Sequence, residues 1–107
     1  MNALQIFKND QFGEIRTVEE NGTVLFCGKD IALALGYSDT KKAIVQHCQE
    51  NGVAIYPLID SMGREQQAKF INEGNVYRLI THSKLPAAEQ FEHWVFDEVL
   101  PTIRRNG

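Results

Sequence analysis

Residues 12–27 read FGEIRTVEENGTVLFC. Two β-prone segments flank Asn21-Gly22. Both turn residues tolerate the positive φ that a two-residue hairpin loop requires. Phe12 to Val18 sets Phe12, Glu14, Arg16 and Val18 on one face of a strand, and Gly13, Ile15 and Thr17 on the other. Thr23 to Cys27 is the return strand. Upstream, Leu4 to Lys8 alternates loosely and Asn9-Asp10-Gln11 signals a turn, so the chain opens with three short antiparallel strands.

Downstream of the hairpin the pattern changes to helix. Asp30 is positioned to cap a short helix over Ile31–Leu35, and Gly36 suits a left-handed stop. Ser38-Asp39-Thr40 offers three caps for a second helix, Lys41 to about Gln49, which Asn51-Gly52 ends. Val53–Ile59 and Glu65–Ile71 read as strands around the turn Ser61-Met62-Gly63. In the second of them Gln67, Lys69 and Ile71 share a face opposite Ala68 and Phe70. Asn72 opens a further helix with Glu73 in its first turn and Val76, Leu79 and Ile80 at helical spacing, closed by His82-Ser83-Lys84.

Pro86 suits the first turn of a long last helix, about Ala87–Val99. Phe91, Val95 and Glu98 form its stripe, with Ala87, Trp94 and Leu100 nearby. Pro101 lacks a backbone donor and disfavours helix in the residue before it, which predicts a kink or break and then a last turn through Ile103. Phe91, Trp94, Val95 and Val99 are the expected clamp of that helix on the core, and Tyr56 and Tyr77 the expected core tyrosines. The order β-β-β-α-α-β-β-α-α gives an α+β fold: short antiparallel strands with a helical pair, a β-hairpin and a long C-terminal helix packed on the sheet.

At 107 residues the chain is read as one domain. No apolar run approaches the roughly 18–20 residues of a membrane span. The first ten residues, MNALQIFKND, lack the basic-then-apolar plan of a signal peptide, so a cytoplasmic protein with no membrane partner is expected. Cys27 and Cys48 form no CxxC pair and are expected reduced and packed. The net charge is −3, against the basic footprint that phosphate binding ordinarily leaves. The charge is uneven, however. Through residue 40 the bases are Lys8, Arg16 and Lys29, against six acids (Asp10, Glu14, Glu19, Glu20, Asp30 and Asp39), while residues 41–107 are balanced.

Among the constellations, helix 31–35 followed by helix 41–49 invites a helix-turn-helix reading, with Ala32 and Gly36 four apart. The next core apolar position then falls on Lys42, which leaves a variant helix pair and a plain helical hairpin both open. Lys41 and Lys42 oppose the dipole at their helix start unless an anion compensates, and His47, five to six residues on, is a candidate to share part of that surface. Solvated lysines beside Asp39 are the plain alternative. Arg64 marks the tip of the second hairpin, with Lys69 further along it. Arg104 and Arg105 suit the negative end of a helix dipole as well as they suit phosphate. His47-Cys48, His82 and His93 show no zinc spacing. Ser38, Ser61 and Ser83 sit in no nucleophile elbow, and there is no phosphate-binding glycine loop. Neither cofactor, metal nor enzymatic activity is expected.

The segments FGEIRTV (12–18), FCGKDIALALGYSDTKKAIVQHC (26–48), SMGREQQAKFINE (61–73), VYRLITHSKLPAAEQFEHWVFDEVLP (76–101) and IRRNG (103–107) occur in one order. Together they resemble the Bro-N domain, the N-terminal module of phage and prophage antirepressors and of baculovirus Bro proteins. The resemblance covers nearly all of the chain. It implies a non-enzymatic regulator in the cytoplasm of a bacterial host, which binds DNA or acts on a phage repressor circuit. It also implies a C-terminal domain of variable type, absent here, as in an excised domain or a minimal member.

Double-stranded DNA is the first expected partner. Lys41, Lys42 and His47 would make the contact, helped by Arg64, Lys69, Arg78, Lys84, Arg104 and Arg105. A phage or host repressor protein is the second, because Glu89, Glu92, Asp97 and Glu98 make the last helix better suited to a protein than to DNA. A homodimer is left open.

Overall fold

The structure is a computed structural model describing the backbone of residues 4–106 and the side chains of residues 4–104. Its elements run β1 (Leu4–Asn9), β2 (Gly13–Glu20), β3 (Thr23–Cys27), α1 (Gly28–Ala34), α2 (Thr40–His47), a 3₁₀ turn (Glu50–Gly52), β4 (Val53–Ile59) and β5 (Glu65–Ile71). Then follow α3 (Glu73–His82), α4 (Ala88–Trp94), a π-helical segment (Val95–Val99) and α5 (Leu100–Asn106). The strands form one antiparallel sheet in the order β1-β2-β3-β5-β4, the α+β architecture expected.

The hairpin at Asn21-Gly22 forms as read. Glu20 pairs with Thr23, and Asn21 and Gly22 sit at φ 53° and 82°. Asn9 organises the first turn, its Oδ1 accepting from the backbone N–H of Gln11 at 2.8 Å and of Phe12 at 3.0 Å. Phe12 therefore belongs to the turn, and β2 begins one residue later than expected. The Phe12 ring packs on Phe91 and Trp94 at centroid separations of 5.1 and 6.2 Å, tying this turn to the terminal helix.

Alternation along β3 divides the core in two. Val24 and Phe26 join Ile15 and Ile71 against the helices. Leu25 and Cys27 join Val18 and Phe70 in a second cluster built from strands alone. Cys27 is buried and Cys48 half-buried, both as free thiols.

Where β3 gives way to helix, Asp30 takes over its ladder. Its carboxylate accepts from the Arg16 backbone N–H at 3.0 Å, from Nε at 2.8 Å and from Nη2 at 2.9 Å. The expected cap at Asp30 is thereby corrected: α1 starts at Gly28, Cys27 holds the cap position without a side-chain bond, and Asp30 lies inside the first turn. A side chain that satisfies the end of a strand is not free to cap the helix beginning beside it.

The remaining helix boundaries also shift. α2 stops at His47, and Cys48 is already extended, so Asn51-Gly52 belongs to the separate 3₁₀ turn. Asn72 caps α3 as expected, accepting from the Asn75 N–H at 2.9 Å. Ala87, not Pro86, precedes the first residue of α4.

Pro101 breaks nothing. The Leu100 N–H bonds the Val95 carbonyl five residues back, so the ladder has slipped by one residue ahead of the proline. A proline in an α-helix sets its ring against the carbonyl four residues earlier, and the wider π turn relieves that conflict. The slip also moves the stripe. Trp94 and Val99, and likewise Val95 and Leu100, are buried at five-residue spacing, while Glu98 faces solvent, contrary to the α-helical expectation. Phe91, Trp94, Val95 and Val99 form the expected clamp. Tyr56 is half-buried in the strand-only cluster, but Tyr77 is 51% exposed and corrects its expected core role. Tyr77 stands at the exposed edge of α3, where the Phe96 ring meets it at 6.3 Å.

Candidate nucleic-acid interface

The site begins at the turn between α1 and α2. Gly36 takes φ +85°, donating to the Leu33 carbonyl at 3.1 Å, while Tyr37 N–H reaches back to Ala32 at 3.0 Å. This pair of bonds closes α1 as a glycine in the left-handed region does, and it turns Tyr37 toward α3. The Tyr37 hydroxyl donates to the Leu79 carbonyl at 2.6 Å, and Ser83 Oγ donates to the Leu35 carbonyl at 2.7 Å. Two side-chain bonds thus pin the end of α1 to the C-terminal half of α3.

Asp39 then caps α2, Oδ1 accepting from the Lys42 N–H at 3.0 Å. Its carboxylate meets part of the dipole conflict that the lysines create at the helix start. Lys41 and Lys42 are both exposed there. At the other end of α2, the rings of His47 and His82 stack at 4.4 Å and 17°, and Tyr37 lies 5.8 Å from His47.

An open cleft of about 760 Å³ runs between these elements, with Tyr37, Asp39, Lys42, His47, His82 and Lys84 on its walls. Asp39 is its one carboxylate, and that group is already engaged as a cap. His82 Nδ1 lies 2.8 Å from the Arg78 carbonyl, which can only accept, so this nitrogen carries the proton. His47 is held below the ordinary histidine range, by burial first and by the charge of His82 second.

The structure brings together three of the residues expected at DNA: Lys42, His47 and Lys84. Lys41 adjoins them on α2. Lys69 and Arg78 act electrostatically on Cys48, whose thiol burial pushes up to about 11 against the opposing pull of both cations. Lys69 is exposed, whereas Arg78 gives Nη1 to Asn75 Oδ1 at 2.8 Å.

Two expected contacts are already engaged. Arg64 pairs with Asp60 at 3.1 Å, and Arg104 pairs with Glu73. Arg105 has its side chain outside the described residues. Neither His82 nor Tyr37 is among the residues the sequence assigns to DNA. Each enters the site through packing of α2 on α3, for which sequence spacing holds no signal.

Among the described residues no three His, Cys, Asp or Glu side chains gather as a metal site. No helix among them is long and apolar enough to cross a membrane. A second, shallower groove of about 560 Å³ lies between α3 and the terminal helix, where Tyr77 and Phe96 stand among Glu73, Arg78 and Glu92.

Fold and cleft together define a small α+β module with a cationic surface centred on a helical pair. The chain belongs to the Bro-N family: the BRO family, N-terminal domain, matches residues 14–101. It is 44% identical over 90 residues to an uncharacterized protein of Haemophilus influenzae, covering 84% of this chain and 44% of that protein. It is 32% identical over 103 residues to a putative Bro-N domain-containing protein, 019R, of Invertebrate iridescent virus 3, covering 77% and 25%. It is 34% identical over 90 residues to an uncharacterized Bro-N domain-containing protein, L2, of Acanthamoeba polyphaga mimivirus, covering 75% and 37%. The chain thus spans less than half the length of these curated relatives. No solved structure matches it.

Proposed function

We propose that this is the DNA-binding module of a regulatory, antirepressor-type protein of a phage or prophage, acting without catalysis in the cytoplasm of the bacterial host. The observation that supports this most directly is the cleft beside α2. It concentrates Lys42, Lys84 and two imidazoles, with Lys41 adjoining, around a single engaged carboxylate in a chain of net charge −3. Cations gathered in this way, with the acids placed elsewhere, suit the phosphate backbone of a duplex more than its base edges. Family membership supports the same reading.

Fluorescence anisotropy with a labelled duplex at low salt tests it. Binding is expected, with log K falling linearly in log salt at a slope of about −0.9 per phosphate neutralised. Absence of binding at low salt, or binding indifferent to salt, would falsify the proposal.

A second reading has its own observation. Exposed Tyr77 beside Phe96, with Glu73 and Glu92 around them, suits docking of a repressor protein. Calorimetry against the cognate repressor decides that case. A complex weakened by Tyr77→Ala supports it, and no heat under several conditions removes it.

A further inference from the structure

We propose that the stacked imidazoles of His47 and His82 form a proton-gated contact for a backbone phosphate, so that DNA binding takes up a proton and tightens as pH falls. The inference rests on the nucleic-acid reading and names the groups that regulate it.

The geometry carries it. The rings lie face to face at 4.4 Å on the wall of the cleft. Two neutral imidazoles stack without conflict at that distance, whereas two imidazolium rings repel. In His82 the proton is committed to Nδ1 by the Arg78 carbonyl, so Nε2 of the neutral ring is bare. Protonation turns Nε2 from an acceptor into a donor, the only form of use to a phosphate oxygen.

Among the described residues one carboxylate lines the cleft, Asp39, and it serves as the cap of α2. Facing the pair across the cleft are Lys42 of α2 and Lys84 beyond α3, both cations, and the ring of Tyr37. Asp39 is taken by the Lys42 N–H, and the Arg78 side chain turns to Asn75. Cys48, next in sequence to His47, is held as a thiol by burial. His47 lies below its ordinary range, by burial first and by the opposing charge of His82 second. A phosphate laid against the two rings offsets that repulsion and raises the proton affinity of the pair. By reciprocity, protons then raise the affinity for phosphate.

The test is the dissociation constant for a fixed duplex, at constant ionic strength, followed from about pH 8 to about pH 6 across the histidine range. The wild-type chain is expected to tighten by roughly tenfold, the change that one linked proton supplies per pH unit at its steepest. His47→Gln and His82→Gln, with folding checked by circular dichroism, are expected to change by less than about twofold over the same range. Lys42→Gln, which alters the cleft without touching either ring, keeps the pH slope and loses salt slope. In proton NMR the imidazole signals should titrate at higher pH with DNA than without it.

Salt-dependent DNA binding with a flat pH profile overturns the inference and leaves the DNA reading standing. So do glutamine variants as steep as wild type. No binding at low salt at any pH removes the DNA reading and this inference with it.

Discussion

Asn75 is the residue on which the site's geometry depends. Fully buried, it accepts from the Gln49 N–H and from Arg78 Nη1, both at 2.8 Å, and returns Nδ2–H to the Gln49 carbonyl at 2.9 Å. One amide therefore locks the chain leaving α2 onto α3, and so sets His47 against His82. Asn75→Ala leaves backbone groups of Gln49 without their partner and is expected to cost about 1–3 kcal/mol. Urea unfolding should show a lower midpoint at unchanged slope. The Arg16–Asp30 fork is the other residue-scale lock, and its carboxylate raises the already high pKa of the guanidinium. Neither was legible in the sequence, because each joins residues 14 or more positions apart.

At the scale of elements, the β4–β5 hairpin and the terminal helix each depend on a local device. Asp60 gathers the hairpin tip, accepting from the Met62 and Arg64 N–H groups and from the Arg64 and Gln66 side chains. Its carboxyl is held below its ordinary value, by the Gln66 bond first and the Arg64 backbone bond second. The folded value lies below the unfolded one, so the contribution is complete above the ordinary aspartate range and disappears as pH falls through the folded value. The protection factors of the Met62 and Arg64 amides, taken relative to intrinsic exchange at each pH, should fall in acid while those of α3 hold. If the tip amides keep their protection below that value, Asp60 does not organise the turn.

In the terminal helix the π segment supplies the one-residue slip that buries Leu100 and Ile103. Inserting one alanine after Asp97 adds a residue that the π segment does not absorb and rotates every later side chain by about 100° off its site. Losing the burial of even one such residue costs about 2–5 kcal/mol, so the thermal midpoint should collapse. An insertion variant as stable as wild type would show that the register of this helix is incidental.

For the whole molecule the decisive quantity is where charge sits. Paired cations bring fewer released counterions to DNA than free ones. Lys42→Gln combined with Lys84→Gln is therefore expected to lower the salt slope of DNA binding by about 2, and Arg64→Gln combined with Arg104→Gln by clearly less. Anisotropy titrations at several salt concentrations compare the two pairs. Equal slopes for both would mean that the ion pairs with Asp60 and Glu73 open on binding, and that the hairpin tip is as much part of the interface as the cleft.

The sequence by itself determined what local chemistry controls: the Asn21-Gly22 hairpin, the Gly36 stop, the Asn72 cap, the alternation that splits the sheet into two faces, and the family. It also put Lys41 and Lys42 at the start of a helix and His47 five to six residues on, near its end. Only the tertiary structure decided the rest. Asp30 serves Arg16 across the strand end, the terminal helix passes Pro101 by slipping one residue, and His82 comes to the cleft from a different helix than His47, with Lys84 from the loop beyond it. Local propensity acts over a few bonds. A site assembled from α2, α3 and the loop beyond it exists only once α2 has packed on α3.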